Sequence, residues 1–262
     1  MFKTRLISGI FLVIAAILTI RAGGYVLCAT LMALSVIGIW ELYRACGIAG
    51  KDPLPVTGAA AAFLWYVLLV LPAERFHMLF IAGVLIAVMT VYVLTYPRYN
   101  AEQVMAAVFG FLYVPVLLSC IFLTRMTHNG HITVWLVFLS AWGADTCAYS
   151  VGMLIGKHKM APVLSPKKSI EGGVGGVVGA VLLGVIYALI MHQPALEYGV
   201  ICFFGALLSM VGDLAASAIK RNRGIKDYGK LIPGHGGVLD RFDSILFTAP
   251  VIYFLSLILL VR

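Results

Sequence analysis

The sequence predicts an all-α, polytopic integral membrane protein with about nine transmembrane helices and a cytoplasmic N-terminus. Three observations carry that expectation. Hydrophobic residues make up 62% of the chain and charged residues 11%, against about 45–50% and about 25% in soluble domains. Apolar runs recur at the length that crosses a bilayer, about 17–25 residues. The basic residues also alternate between loops, as they do when loops alternate between two sides of a membrane.

The apolar runs fall at roughly 4–20, 25–43, 56–72, 76–96, 104–124, 132–155, 173–191, 197–219 and 244–261. The first is short, between Arg5 and Arg21. It reads as a span whose flanking Lys3, Arg5 and Arg21 snorkel to the interface rather than as a signal-peptide core. One set of alternate loops holds Lys3, Arg5, Arg44, Lys51, Arg98, the lysines of 156–173 and the cations of 209–243, fifteen of the nineteen Lys and Arg. Arg21, Arg75, Arg125 and Arg262 make up the other set. Cytoplasmic loops collect the excess of Lys and Arg, so the N-terminus and both polar loops are expected there. The same bias accounts for the net charge of +8, and nucleic acid is not an expected partner. The chain is expected to be a single membrane domain, 1–262. Within it, 1–131 would form N-terminal scaffold helices suited to a homodimer contact, and 132–262 the helices and loops that carry chemistry.

The first five spans offer little chemistry. Trp40, Tyr43, Tyr66, Tyr96 and Tyr99 lie near span ends and read as interfacial aromatics. Glu41 and Arg44 are three apart at a helix end and read as a local ion pair. His128 and His131 share a short outer loop without a third metal ligand. Cys28, Cys46, Cys120, Cys147 and Cys202 are scattered and show no metal-ligand spacing.

The sixth span changes character, because Asp145 sits near its middle. An acid at that depth costs on the order of 2.5–3.5 kcal/mol on insertion scales and marks a functional site by default. The loop 156–173 follows, with Lys167, Lys168 and Ser169 leading directly into a helix. A helix N-terminus with adjacent lysines suits phosphate oxygens; the Walker pattern is absent. Gly172, Gly173, Gly175, Gly176 and Gly179 open the seventh span, and their four-residue spacings point to close helix packing.

Residues 209–243 hold ten of the thirty charged residues of the chain. From Asp213, the residues Ser217, Lys220 and Arg221 follow at helical spacing and share a face. Lys226, Asp227 and Lys230 then precede Pro233-Gly234-His235-Gly236-Gly237, a run that cannot be regular helix. Its glycines allow backbone N–H groups to approach an anion. Asp240, Arg241 and Asp243 begin the last span. Carboxylates and cations at a membrane–water boundary are equipment for metal-assisted chemistry on phosphates. No nucleophile elbow is present, so an acyl-enzyme is not indicated. The residues alone therefore reach Mg2+-dependent phosphoryl or nucleotidyl transfer to a lipid at the cytoplasmic face.

The pattern Ser217-x-x-Lys220-Arg221-x4-Lys226-Asp227-x-Gly229-x3-Pro233-Gly234-His235-Gly236-Gly237-x-x-Asp240-Arg241-x-Asp243 resembles the signature of the phosphatidate cytidylyltransferases, or CDP-diacylglycerol synthases. The resemblance extends upstream through Asp145, the SPKKSIEG run and Gly212-Asp213, and so covers roughly the C-terminal half. It implies that CTP and phosphatidate react to CDP-diacylglycerol and pyrophosphate. Metal binding then falls to Asp213, Asp240 and Asp243, with Asp145 as a further candidate. Lys220 and Arg221 join these acids as catalytic residues, with Lys167, Lys168, Lys220 and Arg221 contacting CTP or lipid phosphate. Ser169, Ser217, Lys226, Asp227, His235, Gly236, Gly237 and Arg241 complete the substrate contacts. Mg2+ is the implied cofactor, with or without a second, monovalent cation. A CTP-dependent polyprenol or dolichol kinase would use similar anion sites and is the alternative. From another class, an ion-coupled transporter would use Asp145 and Asp213 as ligands, but it would more often show repeated halves, and no repeat is seen.

Overall fold

The computed structural model describes residues 2–48, 50–234 and 236–260. Among them nine long helical runs follow one another: α1 (Phe2–Ala22), α2 (Gly24–Ala45), α3 (Pro53–Val70), α4 (His77–Leu94), α5 (Ala101–Met126), α6 (Gly130–Ile155), α7 (Ile170–Ile190), α8 (Ala195–Asn222) and α9 (Leu239–Leu259). Each predicted span falls on one of them. Eight helices are long and apolar enough to cross a membrane, and the apolar part of α1, Gly9–Ala22, is shorter. The protein is thus an all-α, multi-pass membrane protein. The exception to helix is a hairpin of β1 (Lys159–Ala161) and β2 (Ser165–Ser169), paired antiparallel with Lys159 opposite Ser169.

Helix boundaries follow local chemistry. Pro53 begins α3 after Asp52, a position where the missing proline N–H is not needed. Asn100 and Gln103 form a reciprocal capping box at the start of α5, which satisfies two orphan donors. Pro115 lies inside α5, and there the helix widens into a π turn at Leu112–Val116, as expected where a proline removes a ladder bond. A second π turn, Leu139–Gly143, ends two residues before Asp145 in α6.

The chain forms two compact units. The first combines residues up to Phe122 with Ile225–Arg241, so the glycine-rich segment packs with the N-terminal helices. Tyr43, Tyr66 and Tyr99 are buried here rather than interfacial. The Tyr43 hydroxyl donates to Ala107 O at 2.8 Å, and Tyr66 shares a 2.9 Å hydrogen bond with Ser35. These phenols find partners in the protein, so their position near span ends does not bring them to the interface. Tyr96 is exposed, as expected.

The second unit holds Leu123–Gly224 and Phe242–Arg262. Its centre is the packing of α6, α7 and α8 around Ala144, Val177, Ala180 and Ala206. Gly172 and Gly176 of α7 face α6: a Cβ at Gly172 would lie 2.8 Å from Ala148 O, and one at Gly176 would lie 2.9 Å from Ala144 O. Close backbone approach explains those residues, in agreement with their spacing.

Candidate functional site

In the second unit, the hairpin places the two lysines. Glu171, one residue into α7, accepts hydrogen bonds from Lys157 N at 3.1 Å and His158 N at 3.2 Å, and its Oε1 lies 2.6 Å from His158 Nδ1. Ser169 Oγ accepts from Gly172 N at 3.2 Å and caps α7, which ties the end of β2 to the helix. Lys168 extends from β2 and forms an ion pair with Asp213 of α8. A cavity of about 560 Å3 opens beside this pair. Asp145, Ser165, Lys167, Lys168, Ser169 and Asp213 line it together with apolar Met153, Met160 and Met210. Charge and hydrocarbon in one cavity match a ligand with an anionic head and an apolar tail.

Asp243, on α9, is not among the residues that line this cavity. It is 9% exposed, its Oδ1 accepts from Ser244 N at 2.9 Å, and its Oδ2 lies 3.9 Å from Lys220 Nζ. The helices α8 and α9 touch beside it, because a Cβ at Gly212 would stand 2.8 Å from Asp243 O. Asp213 is the next residue of α8. Ser217 and Arg221 stand on α8 four and eight residues beyond Asp213 and are not among the residues lining the cavity.

In the first unit, Lys226, Asp227, Gly229, Lys230, Gly234, Gly236 and Arg241 line a polar cavity of about 520 Å3. Asp240, 6% exposed and not itself a lining residue, ties the segment together: Oδ2 accepts from Tyr228 N at 2.8 Å and Gly237 N at 3.0 Å. Ile232 N donates to Gly236 O at 2.8 Å and closes the turn. Gly234 and Gly236 have φ of 77° and 91°, a region that glycine enters without penalty. His235 lies outside the described residues.

Thus Asp145, Lys167, Lys168, Ser169 and Asp213 come together, and Lys220 meets Asp243. Lys226, Asp227, Gly236 and Arg241 line the other cavity, while Gly237 and Asp240, bonded to each other, do not. Two residues with structural hold on these sites were passed over at the level of sequence. Glu171 has no individual role in the reading of the SPKKSIEG run. Glu41 read as a partner of Arg44, yet it is 5% exposed and accepts hydrogen bonds from Val238 N and Leu239 N. The rule that singled out Asp145, an acid within an apolar span, applies to Glu41 as well.

Among the described residues no cluster of three or more His, Cys, Asp or Glu is placed to hold a metal ion. The donors on offer are hard carboxylate oxygens: Asp213 and Asp243, on touching helices, and Asp145, which lines the cavity together with Asp213. That set fits Mg2+, which commonly takes one or two carboxylates and draws its other ligands from water and substrate phosphates.

A model of the cytidylyltransferase family matches residues 3–259. The chain is similar to the phosphatidate cytidylyltransferase of Staphylococcus epidermidis, 30% identical over 258 residues, 95% of this chain and 97% of that protein. The enzyme of the same name from Rickettsia prowazekii is 33% identical over 212 residues, 78% of this chain and 91% of its own length. That from Thermotoga maritima is 37% identical over 196 residues, 72% and 71% of the two chains.

Proposed function

The chain belongs to the cytidylyltransferase family, and on that premise we propose that it joins CTP and phosphatidate into CDP-diacylglycerol and pyrophosphate. The observation that carries this is a likeness to a phosphatidate cytidylyltransferase that runs the length of both chains. Nothing in the structure favours a kinase or a transporter over it.

In the reaction, a phosphate oxygen of phosphatidate attacks the α-phosphorus of CTP. A new P–O bond forms as the bond to the bridging oxygen breaks, and pyrophosphate leaves with that electron pair. The attacking group is already an anion, so the protein needs no strong base. It must bring like charges together, and fixed cations do that work. Lys167 and Lys168 suit the lipid phosphate, because their cavity also presents Met153, Met160 and Met210 to an acyl tail. Lys226, Lys230 and Arg241 around the polar cavity suit a polyanion such as the triphosphate. Asp240 acts by holding the glycine-rich turn, since one of its oxygens already accepts two backbone N–H groups. Asp213 and Asp243 are the residues that would hold Mg2+, whose role when bound is to withdraw charge from phosphate oxygens. Lys220, with its Nζ 3.9 Å from Asp243 Oδ2, helps to hold that carboxylate in place. We place the site at the cytoplasmic face, on the support of the lysine and arginine bias between loops.

The test uses purified protein in detergent with phosphatidate and CTP labelled on either the α- or the γ-phosphorus. The α label should pass to lipid. Transfer of the γ label would identify a lipid kinase and overturn the assignment. Repeating the assay with ATP, GTP and UTP tests the nucleotide.

A further inference from the structure

We propose that Glu41 is a positioning residue for CTP: from the end of α2 it holds the glycine-rich segment in the shape that presents Lys226, Lys230 and Arg241. This rests on the reading of that segment as the triphosphate site.

The Glu41 carboxylate is buried, yet both its oxygens are used. Oε1 accepts from Val238 N at 3.0 Å and Oε2 from Leu239 N at 2.8 Å. Leu239 is the first residue of α9, and N–H groups at a helix start have no partner within the helix. A carboxylate there satisfies two donors and opposes the positive end of the helix dipole. The partners lie 197 and 198 residues apart in sequence, so this is a tertiary cap supplied by another helix.

The same carboxylate explains two glycines. A Cβ at Gly229 or at Gly237 would overlap the Glu41 side chain. These positions are open to admit Glu41, not a substrate phosphate. Asp240 Oδ2 meanwhile takes the N–H groups of Tyr228 and Gly237. Two protein carboxylates therefore occupy four backbone donors of residues 228–239. A segment that looks like an anion nest is filled from within, and the cationic side chains around it are left to bind the nucleotide. Glu41 touches neither reacting atom; its effect on CTP passes through the backbone of the turn.

The experiment compares full-length wild type with Glu41→Ala, Glu41→Asp, Gly237→Ala and the double variant Glu41→Asp/Gly237→Ala in detergent micelles. Amide hydrogen exchange and steady-state kinetics with each substrate varied are the readouts. In Glu41→Ala, exchange across 228–239 should rise about tenfold, the scale of one net hydrogen bond, while exchange in α3 and α7 is unchanged. The KM for CTP should rise by at least about tenfold and that for phosphatidate should stay within about twofold. Because Asp is shorter, it makes room for the added methyl, so the double variant should lose no more than the worse single one. Unchanged exchange at 228–239, changed exchange without a CTP effect, or equal losses in both substrates would overturn the proposal. If Glu41→Ala does not fold, the other three variants decide it: additive losses refute the contact. Should wild type make no CDP-diacylglycerol, the assigned reaction fails, while the exchange arms still judge the Glu41 contact.

Discussion

Replacing Lys220 by Met should destabilise the protein by about 3 kcal/mol, because breaking a buried pair typically costs about 3–5 kcal/mol through the stranded charge. The geometry sets the figure. Lys220 Nζ lies 3.9 Å from Asp243 Oδ2, and each side chain is 12% exposed. At an effective dielectric of about 20 the attraction at that separation is about 4 kcal/mol, before desolvation is counted. Ser244 N at 2.9 Å from Oδ1 continues to hold the carboxylate after the lysine is gone, which places the loss at the low end of the range. The double variant Lys220→Met/Asp243→Asn strands no charge and should recover more than half of the lost stability. Thermal unfolding of all four proteins in the same detergent, at matched protein concentration without nucleotide, closes the cycle. Activity should fall at least about a hundredfold in each variant, since an acid or cation at a transferring phosphate contributes on the order of 3 kcal/mol to the transition state. A coupling energy within about 0.5 kcal/mol of zero, the scatter of independent sites, would refute the pairing of these residues.

Asp213→Asn should abolish most activity, and EDTA should silence wild type with recovery on adding Mg2+; retention of full rate in either case, measured by lipid labelling, removes the metal from the scheme. Gly184→Ala places a methyl against Cys202 Sγ and should destabilise by about 1–3 kcal/mol as overpacking, while Cys202→Ala in the same chain should restore the thermal midpoint. Glu171→Ala frees the His158 end of the hairpin; trypsin should then cut at Lys157, Lys159, Lys167 or Lys168 faster than in wild type, with little change in the unfolding midpoint.

How much of this was legible in the chain depends on range. The spans were, because burying hydrocarbon in lipid writes itself as uninterrupted apolar runs. The α7 glycines were as well, since four-residue spacing is a property of one helix. The α9 start was too, since Asp240, Arg241 and Asp243 read as the beginning of the last span and the helix begins at Leu239; what the chain did not show is that Glu41 satisfies the first donors of that helix from afar. Tyr43 looked interfacial by position, and only the close approach of α2 to Gly58 and Gly110 shows why its ring is enclosed. The hairpin was hidden for a different reason. Its five-residue second strand is Ser-Pro-Lys-Lys-Ser, which has no alternating apolar pattern, and it is held by Glu171 and Ser169 rather than by strand propensity. Most residues lining the two cavities were named from the sequence, whereas the hold of Asp240 and Glu41 on the glycine-rich segment became visible only in the hydrogen bonds.

The Glu41 contact also has a history within the life of each molecule. Its partners are made 197 residues later, a delay on the order of 10–40 s at about 5–20 residues per second. Through that interval α2 must carry an acid whose acceptors find no α9, and water, Arg44 or the insertion machinery has to shelter it. The glycine-rich turn can take its shape only once synthesis has reached Leu239. Assembly of the glycine-rich segment is therefore among the last events of folding, and if that segment holds the triphosphate as proposed, a chain stalled before α9 is a set of membrane helices that cannot use CTP.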